Sequence, residues 1–181
     1  MLRDLEVPAI GPEVLSELSA HLRLPEGFEG DPGEDATLER ALRAALGGIE
    51  GLTRRAVLER RVLWETHDWR RGEIPIAPIS TIESVAVVDA EGASTVADGW
   101  RLLAKGPTPR IESPPRIPDG GSAEVVLVAG YGDWAAVPDA LRQAVLMWAG
   151  HLHETRAAVA DGTEAPLGAR ELLAPYRRVR L

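Results

Sequence analysis

The clearest pattern of apolar positions lies in the stretch Val125–Arg156, which predicts a strand, a turn and a long helix. The unbroken β-branched and aliphatic run Val125–Ala129 indicates a buried strand, and Gly130-Tyr131-Gly132 indicates the turn after it. Pro138 suits the first helical turn because it has no N–H group to leave unsatisfied, and Asp139 places a carboxylate near the positive end of the helix dipole. The turn lacks the third glycine of a dinucleotide-binding loop, so we interpret it as a tight connection.

The predicted helix is apolar over more of its circumference than a surface helix requires. Its apolar positions recur at helical spacing and include Leu141, Ala144, Val145, Leu146, Trp148, Ala149 and Leu152. Such a helix must be covered on more than one side, either by its own domain or by neighbouring subunits. Met147 lies off the main stripe and is predicted to act mainly in assembly. The candidate residues of a subunit interface are Met147, Trp148 and His151.

The rest of the chain alternates between helical and extended patterns. The spacing predicts helices at Pro12–Leu24, from Gly33 to about Arg55, and at Pro166–Ala174, with strands at Val57–Trp69, Thr81–Asp89 and Trp100–Leu103 and an extended piece at Arg110–Glu112. A hairpin turn is predicted at Asp89-Ala90-Glu91-Gly92. Gly47-Gly48 interrupts the second helix, and close packing against another helix explains this pair better than a hinge does.

These elements predict an α+β fold. We expect a small helical bundle around a long C-terminal helix, with an inserted antiparallel β subdomain. The chain is long enough for one domain over 1–181. Its helical parts are expected at 1–56 and 134–175, its β insertion at about 57–130, and a basic tail at 176–181.

Composition narrows the possible functions. The chain has 181 residues, a formal net charge of −8, no cysteine and a single lysine, Lys105. The lack of cysteine excludes disulfides and Cys-ligated metals, and the acidic balance argues against a protein whose main task is to grip phosphate backbones. The acidic, proline-interrupted start does not resemble a signal peptide, and no apolar run approaches the roughly 20 residues of a membrane span. We therefore expect synthesis in the bacterial cytoplasm and no membrane partner.

No set of residues predicts a catalytic, cofactor or metal site. His151 and His153 point to nearly opposite sides of a helix and do not share an ion, and His151 with Glu154 supplies only two ligands. We predict no catalytic residue, no metal and no cofactor, and a surface or interface role for these histidines. The alternative is a small enzyme whose site forms between helices and sheet from Asp133, His151 and Glu154.

The C-terminal tail has the composition of a docking segment. Arginines alternate there with aromatic and aliphatic residues on an otherwise acidic protein, and arginine and tyrosine are favoured at interface hot spots. The target is either an acidic partner surface or nucleic acid, and the second option makes a nucleic-acid-binding module a further alternative. The candidate docking residues are Pro175, Tyr176, Arg177, Arg178, Arg180 and Leu181.

The order of short motifs along the chain resembles the head–tail connector (adaptor) proteins of long-tailed bacteriophages, related prophages and gene transfer agents. The matching segments are LSELSAHLRL and GLTRRAV near the N-terminus, PISTIESVAVVDAEG in the middle, VAGYGDWAAVPDALRQAVLMWAGHLHETR, and the ending APLGARELLAPYRRVRL. The pair Gly47-Gly48 departs from the family pattern, in which alanines are expected.

The resemblance implies a virion protein without catalytic activity. It implies a homo-oligomeric ring, a dodecamer, bound beneath the portal protein and contacting a tail-ward stopper or tail-terminator protein. DNA would pass through the channel of this ring without specific binding, and the acidic net charge suits a wall that repels phosphates. The family pattern further implies that the C-terminal segment Pro175–Leu181 engages the portal.

Overall fold

Two compact units make up the chain. The computed structural model describes residues 1–24, 32–69, 72–104, 108–155 and 164–177. One unit combines Met1–Pro8 with Leu58–Gly132 and contains the β-sheets, and the other combines Ala9–Val57 with Asp133–Leu181 and contains the helices. The predicted α+β class, with an antiparallel sheet inserted between helical segments, is confirmed.

The strands of the sheet unit are β1 (Leu2–Asp4), β2 (Arg60–Thr66), β3 (Ile79–Val88), β4 (Ser94–Val96), β5 (Arg101–Leu103), β6 (Arg110–Glu112) and β7 (Ser122–Ala129). They form a five-stranded antiparallel sheet with the order β1-β2-β7-β3-β4 and a two-stranded sheet of β5 and β6.

The central strand β7 follows the alternation that a sheet with one buried face requires. Ala123, Val125, Leu127 and Ala129 are fully buried, and the residues between them are only half-buried. The register pairs Val125 with Trp64 on β2 and with Val85 on β3, so buried side chains from three strands form one row. The prediction of a strand at Val125–Ala129 is confirmed, although the strand begins earlier, at Ser122.

Both outermost strands of the large sheet were missed by the sequence analysis. β1 and β4 are three residues long and every residue in them is exposed, so neither carries an apolar alternation. β1 lies in a segment that was expected to belong to the helical part. Its pairing with β2 is extended by hydrogen bonds between Met1 and Glu65 and between Leu5 and Arg61.

An ion-pair cluster links three segments at the exposed side of the sheet. Arg61 on β2 donates two hydrogen bonds to Glu83 on β3, at 2.7 Å from Nη2 and 3.0 Å from Nε, and its Nη1 lies 3.5 Å from Glu6. The hydrogen bonds from Arg61 lower the pKa of the Glu83 carboxyl. Because all three side chains are substantially exposed, this cluster contributes little to stability.

The turn after β7 requires glycine at Gly130. This residue has φ of 134°, and a Cβ placed on it would lie 2.3 Å from the Cα of Glu59. Glu59 also donates its backbone N–H to the Gly132 carbonyl at 3.3 Å. The interpretation of this turn as a tight connection is consistent with that packing.

The helical unit places one long helix among three others. Its helices are α1 (Pro12–His21), α2 (Pro32–Thr53), α3 (Asp139–Glu154) and α4 (Leu167–Leu173), and 3-10 turns lie at Trp134–Ala136 and Ala174–Tyr176. The predicted helices are confirmed: each ends one to three residues earlier than predicted, and α2 begins one residue earlier, at Pro32. Before α3, the buried indole of Trp134 donates a hydrogen bond to Glu17 on α1, which fixes the entry to the helix.

α3 contacts α1, α2 and α4. Its buried residues are Leu141, Ala144, Val145, Leu146, Trp148, Ala149 and Gly150. The wide apolar surface predicted for this helix is therefore covered by helices of its own chain. The sequence alone had left open whether neighbouring subunits supply that cover.

The two glycines in α2 differ in their surroundings. A Cβ on Gly48 would lie 2.2 Å from the Trp148 ring, whereas a Cβ on Gly47 would meet nothing within 4 Å. Trp148 is only 6% exposed, so its large ring has little room to move away. Close packing against another helix is thus confirmed for Gly48, and it does not account for Gly47.

We predict that Gly48→Ala lowers the free energy of unfolding by about 1–3 kcal/mol, because the added methyl group overpacks the Trp148 site. The matched change Gly47→Ala should raise it by up to about 1 kcal/mol through better helix propensity. Thermal unfolding followed by circular dichroism measures both. Equal shifts in the two variants would contradict the packing explanation.

Candidate docking surfaces

The C-terminal segment is held against the end of α2. Ala169 and Leu173 bury the inner side of α4, and the chain continues into the 3-10 turn Ala174–Tyr176. There the ring of Tyr176 lies under the guanidinium of Arg55, whose Cζ atom is 5.5 Å from the ring centroid. This distance is within the range of a cation–π interaction. The start of the predicted docking tail therefore has a defined place on the helical unit.

The predicted docking residues divide into three groups. Tyr176 is half-buried and stacked on its own chain, whereas Pro175 and Arg177 are exposed. Arg178, Arg180 and Leu181 lie outside the described residues. The contact with Arg55 was missed by the sequence analysis because the two residues are far apart along the chain. The only sequence signal was the Arg54-Arg55 pair directly after the second helix.

The predicted interface residues of α3 present unequal amounts of surface. Trp148 packs over Gly48 and is 6% exposed, so it has little surface left for a neighbouring subunit. Met147 is half-buried, and its Cε lies 2.5 Å from the place that a Cβ on Gly168 would occupy. His151 is also half-buried. Met147 and His151 are therefore the more accessible members of this group.

An open cavity of about 520 Å³ lies beside Met147 and His151 within the helical unit. Its polar and flexible lining residues are His21, Arg23, Gln143, Met147, His151 and Glu154. Among the residues that the structure describes, no group of three or more histidine, aspartate or glutamate side chains is arranged to hold a metal ion. The cavity lining therefore mixes polar and apolar side chains, and the described residues form no metal site in it.

The residues of the alternative enzyme site have separate roles. His151 and Glu154 line the cavity, but Asp133 is exposed and caps the 3-10 turn before α3. Its Oδ1 accepts a hydrogen bond from the backbone N–H of Ala136 at 3.0 Å. A capping aspartate of this kind has a sufficient structural explanation.

His153 joins the end of α3 to the start of α2. Its Nε2 lies 2.7 Å from Oε1 of Glu34, and the two side chains are 10% and 20% exposed. The expected surface or interface role is therefore wrong for His153, which has an internal partner. Glu34 lies in the first turn of α2. Its contact with His153 has no signal in the sequence, because 119 positions separate the two residues.

We predict that Glu34→Ala destabilises the protein by about 1–3 kcal/mol, because it leaves the mostly buried His153 ring without its hydrogen-bond partner. Asp35→Ala is the matched control. It removes a carboxylate from the same helical turn and should cost only the dipole contribution of about 0.3–1 kcal/mol. Chemical denaturation of both variants at neutral pH tests this difference, and equal losses would contradict it.

No helix within the described parts of the chain combines the length and the apolar character that a membrane span needs.

Comparison with solved structures places this architecture among known ones. A chain in the neck of the empty gene transfer agent (GTA) particle, computed with C6 symmetry, is 38% identical with a TM-score of 0.85. A chain in the virion of the native GTA particle is 38% identical with a TM-score of 0.83, and one in the neck of the native GTA particle, computed with C12 symmetry, is 36% identical with a TM-score of 0.79. Each match covers 100% of this chain and 97% of the other. No protein-family model matches, and no curated protein does.

Proposed function

The chain belongs to the head–tail connector family of gene transfer agents and related phages, and on that basis we propose that it forms the adaptor ring that joins the portal to the tail. As a member of this family it is a structural component of the virion. The observation that carries the proposal is the full-length similarity to neck chains, at 36–38% identity, which extends over both the sheet unit and the helical unit.

The symmetry of the related necks supports a ring. The solved necks were computed with C6 and C12 symmetry. For this chain, a dodecamer is the arrangement that agrees with the family pattern. Such a ring needs heterologous contacts, in which two different surfaces of one subunit meet the two neighbours. The accessible side of α3 at Met147 and His151 is one of these surfaces.

The ring contacts the portal on one side and a stopper or tail-terminator protein on the other. DNA passes through its channel without specific binding. The formal net charge of −8 favours this role because a wall with excess negative charge repels phosphates. This function requires matching surfaces and needs no reacting groups.

The C-terminal segment serves as the portal contact. Stacking of Tyr176 on Arg55 fixes where the segment leaves the helical unit, and Arg177 is exposed beyond it. A docking segment whose base is already ordered loses less conformational entropy on binding than a fully free one.

We predict that a chain lacking Tyr176–Leu181 folds but fails to join heads to tails. A shorter deletion of residues 178–181 keeps the Tyr176–Arg55 stack, so its melting temperature should equal that of the full chain. The longer deletion should cost about 0.5–1 kcal/mol of stability through loss of the cation–π contact. Electron microscopy of the particles measures the fraction of heads that are joined to tails. Normal particles from both deletions would contradict a portal-binding tail.

We predict that Met147→Asp weakens ring formation while the subunit stays folded with some loss of stability, because the half-buried side chain packs towards Gly168 and also lies at the accessible side of α3. Val145→Asp provides the contrast. It places a charge at a site with 0% exposure and should unfold or strongly destabilise the subunit, by about 3 kcal/mol or more. Native mass spectrometry and thermal melts separate assembly from folding. Unchanged rings with Met147→Asp would show that another side of α3 meets the neighbours.

A further inference from the structure

Two arginines that follow α2 add positive charge beside the C-terminal segment. α2 ends at Thr53 and is followed by Arg54 and Arg55. Arg54 precedes Arg55 and Arg177 follows Tyr176, so each is the chain neighbour of one residue of the stack. Both Arg54 and Arg177 are exposed. Two segments that are far apart in the sequence thus each place an exposed arginine next to this contact.

Arg54 and Arg177 are not neutralised by carboxylates in the described parts of the chain. Many other arginines there form ion pairs within 4 Å, namely Arg43, Arg60, Arg61, Arg101, Arg110, Arg142 and Arg170. The whole chain has a net charge of −8. Two exposed arginines without ion-pair partners therefore give the region beside the predicted docking segment a local positive charge.

Helix termination alone is a competing explanation for Arg54. A cation after a helix complements the negative end of the dipole and the free carbonyl groups. Arg23 follows α1 in a comparable way: it lies two residues after His21, is also exposed, has the same left-handed φ of 56°, and forms no ion pair with a described residue. Helix termination therefore explains the conformation of both arginines, but it does not explain why Arg54 directly precedes the residue that stacks on Tyr176.

We propose that the portal-docking surface is composite, with Arg54 and Arg55 at the end of α2 joining the described residues Pro175–Arg177, and that it fits an acidic segment of the partner protein. This rests on the proposed function, which assigns portal docking to the C-terminal segment. Guanidinium groups match carboxylates in a planar, bidentate geometry, and arginine and tyrosine together are typical of interface hot spots.

Nucleic acid is the weaker candidate for the ligand of this surface. Binding to phosphate backbones depends on many simultaneous cation–phosphate contacts and is opposed by an acidic chain. The described part of the surface offers Arg54, Arg55 and Arg177, with Arg55 already stacked on Tyr176. A few fixed cations around an aromatic ring suit a short acidic peptide better than a long polyanion.

The test uses Arg54→Gly in the full-length protein, with Arg40→Ala as the control, because Arg40 is an exposed arginine of the same helix that bonds, among the described residues, only to Ala36 and Thr37. Glycine is the residue best suited to the left-handed conformation of Arg54, and alanine is the best helix former at position 40, so neither change should lower the melting temperature by more than a few degrees. The probe is a preparation of tailless heads that carry the portal but lack this protein. Binding of each variant is measured on DNA-filled heads and on heads emptied and treated with nuclease.

We expect Arg54→Gly to bind both kinds of head about tenfold more weakly, while Arg40→Ala binds like the wild type. Equal weakening by both variants, or none by Arg54→Gly, would overturn the composite surface. A loss that is confined to DNA-filled heads would assign the surface to nucleic acid and also overturn it.

The chain lacking Tyr176–Leu181 separates this inference from the proposed function. If that deletion abolishes binding while Arg54→Gly does not, the tail docks to the portal without α2. If neither change affects binding, portal docking by the C-terminal segment is itself wrong.

Discussion

Enclosure of α3 by the other three helices is the constraint on which the helical unit depends. The Trp148 ring reaches α2 at Gly48, which has no side chain to oppose it. Met147 reaches α4 at Gly168 in a similar way. These close approaches bring α2 and α4 to α3, and the apolar stripe of α3 then fills the space among them.

Strong periodicity made the main elements predictable. The run in β7 and the stripe in α3 each repeat an apolar residue at the spacing of one structure type, so the pattern identifies the element directly. β1 and β4 could not be found in this way, because their residues are exposed and their pairing depends on strands far away in the sequence. The glycine pair in α2 shows a similar limit, since only the packed structure distinguishes Gly48 from Gly47.

The proposed docking surface could be read from the sequence only in part. Alternation of arginine with tyrosine and aliphatic residues at the C-terminus was enough to predict a contact segment. The place where this segment meets the helical unit was not, because a stack between Arg55 and Tyr176 leaves no pattern in the sequence. His153 and Glu34 repeat the lesson: each residue had a plausible local explanation, and their mutual contact appears only when α2 and α3 are packed together.

The same packing decides where the proposed docking surface lies. Arg54 and Arg55 follow α2, and Tyr176 follows α4, so the contact between Arg55 and Tyr176 depends on how both helices contact α3. A shift of α2 against α3 would therefore move one half of the proposed surface. The proposed connector function depends on the relative positions of surfaces. Under that proposal, the buried contacts of α3 govern function as well as stability, although none of those buried residues needs to touch a partner.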